Sequence, residues 1–530
     1  MGNSTWLYTI QHELPARRPV QYASADSNYW GHLVFLNSYI IKEKNREGMG
    51  NAEANDAVDK DVNDTYDVVI VGCGMAGLSA AISSAENGAE TVVLEKAPME
   101  HRGGQTQFTG IVRFPTADVD MDLDFEDPTY TKADYLNDIM KVTNNRADSA
   151  LAETLVNNAG DSFEWLVERL PENPFVGNRG EDHFVGYGAP GAWWGGDVNV
   201  LVNAAESMGV DILYDAEARE LRTGPSEKVV TGVEAYVDER PVSFDTEAVV
   251  IAAGGFESST EKRTRYHGKI YDDLTVRGVP YNTGEAIDMA LDIGAASDGN
   301  WGGAHTSMVD ANAPDVHSGV GSFHGYHYGV VLNHDGERFL DEGADFRSLT
   351  YAKYGHVLLK QPYKEGFVLF DSRTNEEVAE YTAEFTEKIE GSTIEELINR
   401  LGIGAAEQSL ETVEEYNAAC DDSVEFDPDI LDGKSTTGIS PKKSNWAVPL
   451  EEPPFYGYPV KPGMTFSFGG LAQTPNAEVL DTRGNTIPGL YVAGNSAGGL
   501  FYYNYPGGSG QINALVYGRI AGREAAATAE

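Results

Sequence analysis

Three glycines and one acid carry the first recognisable chemistry in this sequence. Gly72, Gly74 and Gly77 fall in the spacing Gly-x-Gly-x-x-Gly, and Glu95 follows them. Such a loop suits a dinucleotide. Gly72 permits a tight turn, and Gly74 lets the backbone approach a pyrophosphate. Met75 and Ala76 lie between Gly74 and the helix, whose N-terminus meets the phosphate charge, and Gly77 lets that helix pack on its strand. Glu95 can accept hydrogen bonds from a ribose diol, with Lys96 beside it. A 2′-phosphate would face the Glu95 charge, which disfavours NADP.

These residues need a strand–helix–strand frame, and the sequence supplies one. Asp67–Val71 is an apolar run fit for a buried parallel strand, a helix follows over Gly77–Asn87 until Gly88 stops it, and Thr91–Leu94 is the next strand. Helices are expected at Lys132–Val142 and Ser149–Arg169, and strands at Asp211–Tyr214, Val229–Val237 and Ala248–Ile251. The last of these runs into Ala252-Ala253-Gly254-Gly255. A helix over Gly284–Ile293 is followed by a glycine- and histidine-rich loop region, 294–329. Nucleotide-type features return at the far end. Gly489-Leu-Tyr-Val-Ala-Gly494-Asn495 is a strand ending in small residues, and Gly507-Gly508-Ser509-Gly510 opens a final helix over Gln511–Ala527, with Ile512 in its first turn. That helix could stabilise negative charge on a reduced isoalloxazine, so FAD is expected rather than NAD. The expected fold is α/β: a Rossmann-like FAD-binding domain with an inserted α+β capping domain for substrate. Residues 1–65 form an N-terminal extension or linker, 66–305 the first part of the FAD domain, 306–465 the cap, and 466–530 the second part.

Composition narrows the partners. The 530 residues carry 83 acidic against 38 basic side chains, a formal net charge of −45 spread along the chain. Such a field repels nucleic acid and anionic membrane, and it suits a protein working in high salt. Two cysteines, Cys73 and Cys420, exclude a disulfide framework and leave no cluster for zinc or iron–sulfur, so no metal site is expected. Nothing resembles a secretion signal or a membrane span, and a cytoplasmic, soluble protein is expected.

The segments DVVIVGCGMAGLSAA, EKAP, RGGQT, AAGGF, GLYVAGN and the GGSG helix resemble the flavoprotein subunits of fumarate reductase and succinate dehydrogenase, over nearly all of 66–526. Within that family, residues 97–110, 276–295, 336–355, 465–471 and 499–510 resemble the FAD-dependent tricarballylate dehydrogenases. The resemblance implies that Gly103, Gly104 and Thr106 contact the flavin's phosphate and ring region. Gly110, Ala253, Gly254, Gly494, Asn495, Gly508, Ser509, Gly510, Gln511 and Ile512 complete the expected cofactor contacts. Ala97 stands where membrane-bound relatives carry a histidine bonded to FAD, which implies non-covalent FAD. The family's chemistry is hydride exchange between flavin N5 and one carbon, with proton exchange at its neighbour.

By the same resemblance Arg347 matches the proton-shuttling arginine, though on composition alone it reads as a surface residue paired with Asp341, Glu342 or Asp345. His305 matches a histidine that bonds a substrate carboxylate. His324 and His327 lie near a loop where the reductases carry a Glu/Arg relay that this chain lacks, and a solvated or core role suits either. Phe466 and Tyr505 replace a histidine and a carboxylate-clamping arginine, which argues against fumarate or succinate as substrate. Tyr505-Pro506-Gly507 also resembles the 3-ketosteroid dehydrogenases, whose tyrosine polarises a carbonyl. The leading expectation is dehydrogenation of a CH–CH bond in a tricarballylate-like polycarboxylate, with Arg347, Tyr505 and His305 catalytic. The alternatives are a ketone Δ-dehydrogenase, fumarate-reductase-like activity, or an FAD-binding electron-transfer subunit. Electrons would pass to a separate acceptor such as a quinone or an iron–sulfur protein.

Overall fold

The computed structural model describes residues 65–123, 125, 127–177, 189–194, 196–224, 229–317, 322–323, 325–376 and 388–529. The N-terminal extension up to residue 64 and His324 lie outside them. Among the described residues a six-stranded sheet holds the dinucleotide frame. Its strand order is Glu478–Leu480, Thr486–Val492, Ala248–Ile251, Val68–Val71, Thr91–Leu94 and Asp211–Leu213. All neighbours run parallel except the edge pair Glu478–Leu480 with Thr486–Val492. Every residue of Val68–Val71 and of Ala248–Ile251 is buried, the pattern of strands covered on both faces.

Two helices cover one side of this sheet, Met75–Glu86 and the final helix Ser509–Ala529. They touch backbone to backbone because the sequence puts glycine at the crossing. A methyl group on Gly518 would sit 2.4 Å from the Ala76 carbonyl oxygen, and one on Gly522 2.1 Å from that of Ala80. The first and last described helices thus close one layer. The expected helices at 132–142 and 149–169 are present with those limits, each started by a side-chain cap, from Thr131 and Asp148.

A second, mixed sheet of seven strands is organised on the long strand Phe455–Leu471. Ser297–Asp310 pairs with it antiparallel, so the expected loop region 294–329 contains a 14-residue strand. Glycines obscured it: Gly299, Gly302 and Gly303 remove the alternating pattern, but backbone hydrogen bonding still carries the ladder. The ladder is irregular near His305. Its register runs Asn300↔Phe468, Ala304↔Ser467, His305↔Phe466, Thr306↔Met464, which leaves Thr465 as an extra residue on the long strand. Bulges of this kind re-aim side chains. The helix Tyr351–Leu358 lies on the strand just past it, with Gly355 against Thr306.

Candidate functional site

The glycine loop, from Gly72 to Gly77, sits at the C-terminal end of Val68–Val71. A methyl on Gly77 would fall 1.9 Å from the Gly72 carbonyl oxygen, and one on Gly72 2.5 Å from that of Ala252. Only glycine admits both contacts. The Met75 N–H donates to Thr106 Oγ1 at 2.9 Å, which seats the turn Gly103–Thr106 over the loop. Glu95 is buried, and its carboxylate accepts from the Cys73 N–H at 2.9 Å and the Ala97 N–H at 2.8 Å. Burial raises its proton affinity, while the two amides oppose that. Each oxygen keeps a second lone pair for a ribose hydroxyl.

Other turns meet the loop from two sides. Gly494 lies against the Ala76 side chain, and Ser496 Oγ donates to the Gly254 carbonyl at 2.9 Å. Ala253 precedes that carbonyl and Asn495 lies between Gly494 and Ser496. Gly508 is held by the Arg113 N–H, which donates to its carbonyl at 3.2 Å, and Ser509 Oγ accepts from the Tyr135 hydroxyl at 2.9 Å. A methyl on Gly510 would lie 3.9 Å from the Phe466 and Tyr505 rings, Ile512 is buried, and Gln511 Oε1 is buried with no hydrogen bond among the described residues. These elements stand at the C-terminal ends of parallel strands, where open α/β sheets bind their ligands. The narrow glycine turns, the ribose-ready acid and the unsatisfied polar atoms fit FAD.

Two expected cofactor residues face elsewhere. Lys96 Nζ donates to Thr283 Oγ1 at 2.6 Å and pairs with Glu285 at 3.2 Å, beside a cleft of about 630 Å³ lined also by Glu217 and Arg219. Gly110 lies under the Trp193 ring, where a methyl would come within 2.3 Å of ring carbons.

The three residues expected to be catalytic meet in a buried group of rings. His305 is 4.8 Å from the Tyr351 ring, 5.0 Å from Tyr505 and 5.2 Å from Phe466. The Arg347 guanidinium carbon lies 4.6 Å over the Tyr351 ring, and the Tyr351 and Tyr505 hydroxyls are hydrogen-bonded to each other. Arg347 is 2% exposed, which excludes a surface pairing. Burial, then the charges of Arg277 and Arg347, hold His305 well below its ordinary value, so its ring is neutral at pH 7. His327 is also buried and held low, between Tyr328 and Trp446, with no hydrogen bond to its ring nitrogens among the described residues. It is a core histidine, one of the two roles expected for it.

Three further residues complete the group. Tyr351 lies one helical turn after Arg347, a spacing that could have flagged it. Arg277 ends the strand Thr275–Arg277 and donates to Thr465 Oγ1 at 3.1 Å. Arg113 is fully buried and donates to the Gly507 carbonyl at 2.7 Å, to Ser348 Oγ at 2.9 Å and to Asp138 at 2.9 Å. It therefore fixes the start of the final helix relative to the turn that carries Arg347. The Gly507 N–H reinforces this by donating to the Ser348 carbonyl at 2.7 Å.

The glycine cradle fits a flavin, and next to it a buried cluster offers a guanidinium, a neutral imidazole and two hydrogen-bonded phenols. Comparison with known proteins bears on the cofactor and the fold. The family described as FAD binding domain matches residues 67–512. The chain is 26% identical to the probable fumarate reductase Ifc3 of Shewanella frigidimarina (strain NCIMB 400), over 91% of this chain and 78% of that protein. It is 27% identical to the vinyl phenol reductase of Lactiplantibacillus plantarum (strain ATCC BAA-793 / NCIMB 8826 / WCFS1), over 88% and 97%. Its fold is similar to that of the 3-ketosteroid delta1-dehydrogenase from Sterolibacterium denitrificans, with a TM-score of 0.69 at 19% identity over 88% of this chain and 100% of that one. With a cradle that fits FAD and a family match over most of its length, the chain belongs to the FAD binding domain family and is an FAD-dependent oxidoreductase of the fumarate reductase group.

Proposed function

We propose that this protein dehydrogenates a CH–CH bond next to a carboxylate, on a tricarballylate-like polycarboxylate. The observation that carries the reading is the convergence of two guanidinium charges, those of Arg277 and Arg347, on the buried His305. In this reading residues 66–305 and 466–530 hold non-covalent FAD and 306–465 cap it. Bound FAD supplies the hydride acceptor, N5. Arg277 and Arg347 hold carboxylates by charge-assisted hydrogen bonds, and His305 donates through its ring N–H. A guanidinium is protonated at rest, so Arg347 serves as a clamp or as the acid of the reductive direction rather than as the base. The base of the oxidative direction then falls to the Tyr351–Tyr505 phenol pair, whose ionised form the guanidinium over Tyr351 stabilises. The reverse reaction, reduction of an unsaturated acid, uses the same groups.

A second reading is a ketone Δ-dehydrogenase, acting for example on a 3-ketosteroid. It is favoured by the phenol pair, which could polarise a carbonyl, and by the rings of Phe466, Phe468 and Phe501 around it. In either reading electrons leave to a separate quinone or iron–sulfur protein, and the cytoplasm is the proposed compartment. Incubation with tricarballylate and an artificial acceptor tests the first reading. The unsaturated tricarboxylate is the expected product, and product from a ketosteroid alone would transfer the assignment to the second.

A further inference from the structure

A buried acid lies where the cofactor cradle meets the wall of the substrate pocket, and no step above uses it. Glu257 is fully buried just past the strand Ala248–Ile251. Its Oε1 accepts from Asn282 Nδ2 at 2.7 Å and from Gln105 Nε2 at 3.2 Å. Its Oε2 has no side-chain partner among the described residues, and neither do Ser467 Oγ nor Gln105 Oε1, all three buried. Glu257 Oε2 and Ser467 Oγ lie within 2.6 Å of one point, the place a methyl on Gly255 would take.

The surroundings of this cluster identify what it faces. Gln105 belongs to the turn whose Thr106 binds the Met75 amide, at the start of the dinucleotide helix. Asn282 packs on Gly254, whose carbonyl is bonded to Ser496 in the C-terminal cofactor turn. Ser467 follows Phe466, whose ring contacts His305 and Tyr505. Hydride exchange requires the reactive ring of the cofactor to lie between its cradle and the substrate. Glu257 sits at that junction, below the bulge at Thr465, whose carbonyl accepts from Gln105 at 2.6 Å.

We propose that Glu257 is a redox-linked proton site of the flavin: it binds a proton from solvent when negative charge enters the ring, and releases it on reoxidation. Two electrons come from the reductant; one proton goes to the ring itself, and a second, taken from solvent, forms the O–H bond of the Glu257 carboxylic acid and offsets the negative charge that remains. Reoxidation breaks that O–H bond and returns both protons to solvent. Burial pushes the Glu257 carboxyl up to about 7, against hydrogen bonds from Asn282, its own amide and Gln105 and against the Arg263 charge, so both forms are populated near neutrality. The charged group facing it is Arg263, which donates to the Glu257 backbone carbonyl at 2.7 Å. Beyond Gln105, Arg277 reaches the same bulge through Thr465 Oγ1. Asn282, Gln105 and Ser467 face it without charge.

Protons taken up during chemical reduction of the FAD-loaded protein, followed with a pH indicator in weak buffer, provide the test. No substrate is involved, so its outcome is independent of the proposed reaction. Near pH 7 the wild type is expected to take up more protons per flavin than Glu257→Gln, which keeps the Asn282 hydrogen bond but cannot ionise. At about pH 5 the difference should vanish, because Glu257 is already protonated. Equal uptake at both pH values, or a difference that persists in acid, would overturn the proposal. Should the Gln variant lose FAD, Glu257→Asp carries the test. Its uptake should occur in a shifted pH window, and an unchanged window would count against Glu257.

Discussion

Arg347 owes its usefulness to its surroundings. Buried, and with a phenol ring beneath its guanidinium, it can hold an anion or donate a proton without competition from water. Arg347→Gln is expected to lower turnover by roughly 10²–10⁴-fold while bound FAD is retained, the range for losing a proton-transfer group. Near-normal turnover would remove it from the chemistry. Glu257 has a consequence for stability as well as for proton uptake. Its folded value of about 7 lies above the ordinary 4.5, so the native state binds more protons than the unfolded chain between those values. Stability therefore falls as pH rises through that window, and the burden is complete above it. The gain in Tm from Glu257→Gln should be larger at about pH 8 than at about pH 5. A pH-independent difference between the two proteins would contradict the buried, titrating acid.

At the scale of elements, the site depends on how tightly distant segments meet. The final helix reaches the first one only because Gly518 and Gly522 leave room, and it brings the Gly508–Gly510 turn to the pocket. Gly522→Val should cost about 1–3 kcal/mol, the usual range for overpacking, and should weaken FAD retention, both readable by thermal melting with flavin fluorescence. Breaking the buried Arg113 clamp with Arg113→Gln should cost more, about 3–5 kcal/mol, because the bonds to Gly507, Ser348 and Asp138 are lost together. The sequence makes some of this legible. Gly72, Gly74, Gly77 and Glu95 lie within one strand–helix–strand unit, so their local spacing records their shared role. Gly508 to Ile512 follow the same logic at the start of a helix. Glu257, Arg113 and Arg277 carry no such pattern, since their partners lie far along the chain, as Ser348 and Gly507 do for Arg113. The strand Ser297–Asp310 was hidden for another reason. Its glycines and irregular register suppress the two-residue alternation by which strands are read, and the same irregularity places His305 among the rings.

For the molecule as a whole, charge sets the conditions of work. With 83 acidic and 38 basic residues, self-repulsion opposes the compact state in dilute buffer and is screened in concentrated salt. The Tm is therefore expected to rise between dilute buffer and molar salt, and an unchanged Tm would sink the high-salt assignment. The same field repels a polyanionic substrate, so Arg277 and Arg347 must offset it locally, and substrate KM should fall as salt is added. Among the described residues no helix is long and apolar enough to cross a membrane. Function finally rests on one claim: that a polycarboxylate gives up hydride in the pocket of Arg347, Tyr351, Tyr505 and His305. Anaerobic mixing of the FAD-loaded protein with tricarballylate in molar salt measures this directly. Rapid loss of the oxidised-flavin absorbance, abolished in Arg347→Gln and absent with succinate, is the predicted result. An unchanged spectrum with tricarballylate, alongside bleaching by a 3-ketosteroid, would contradict it.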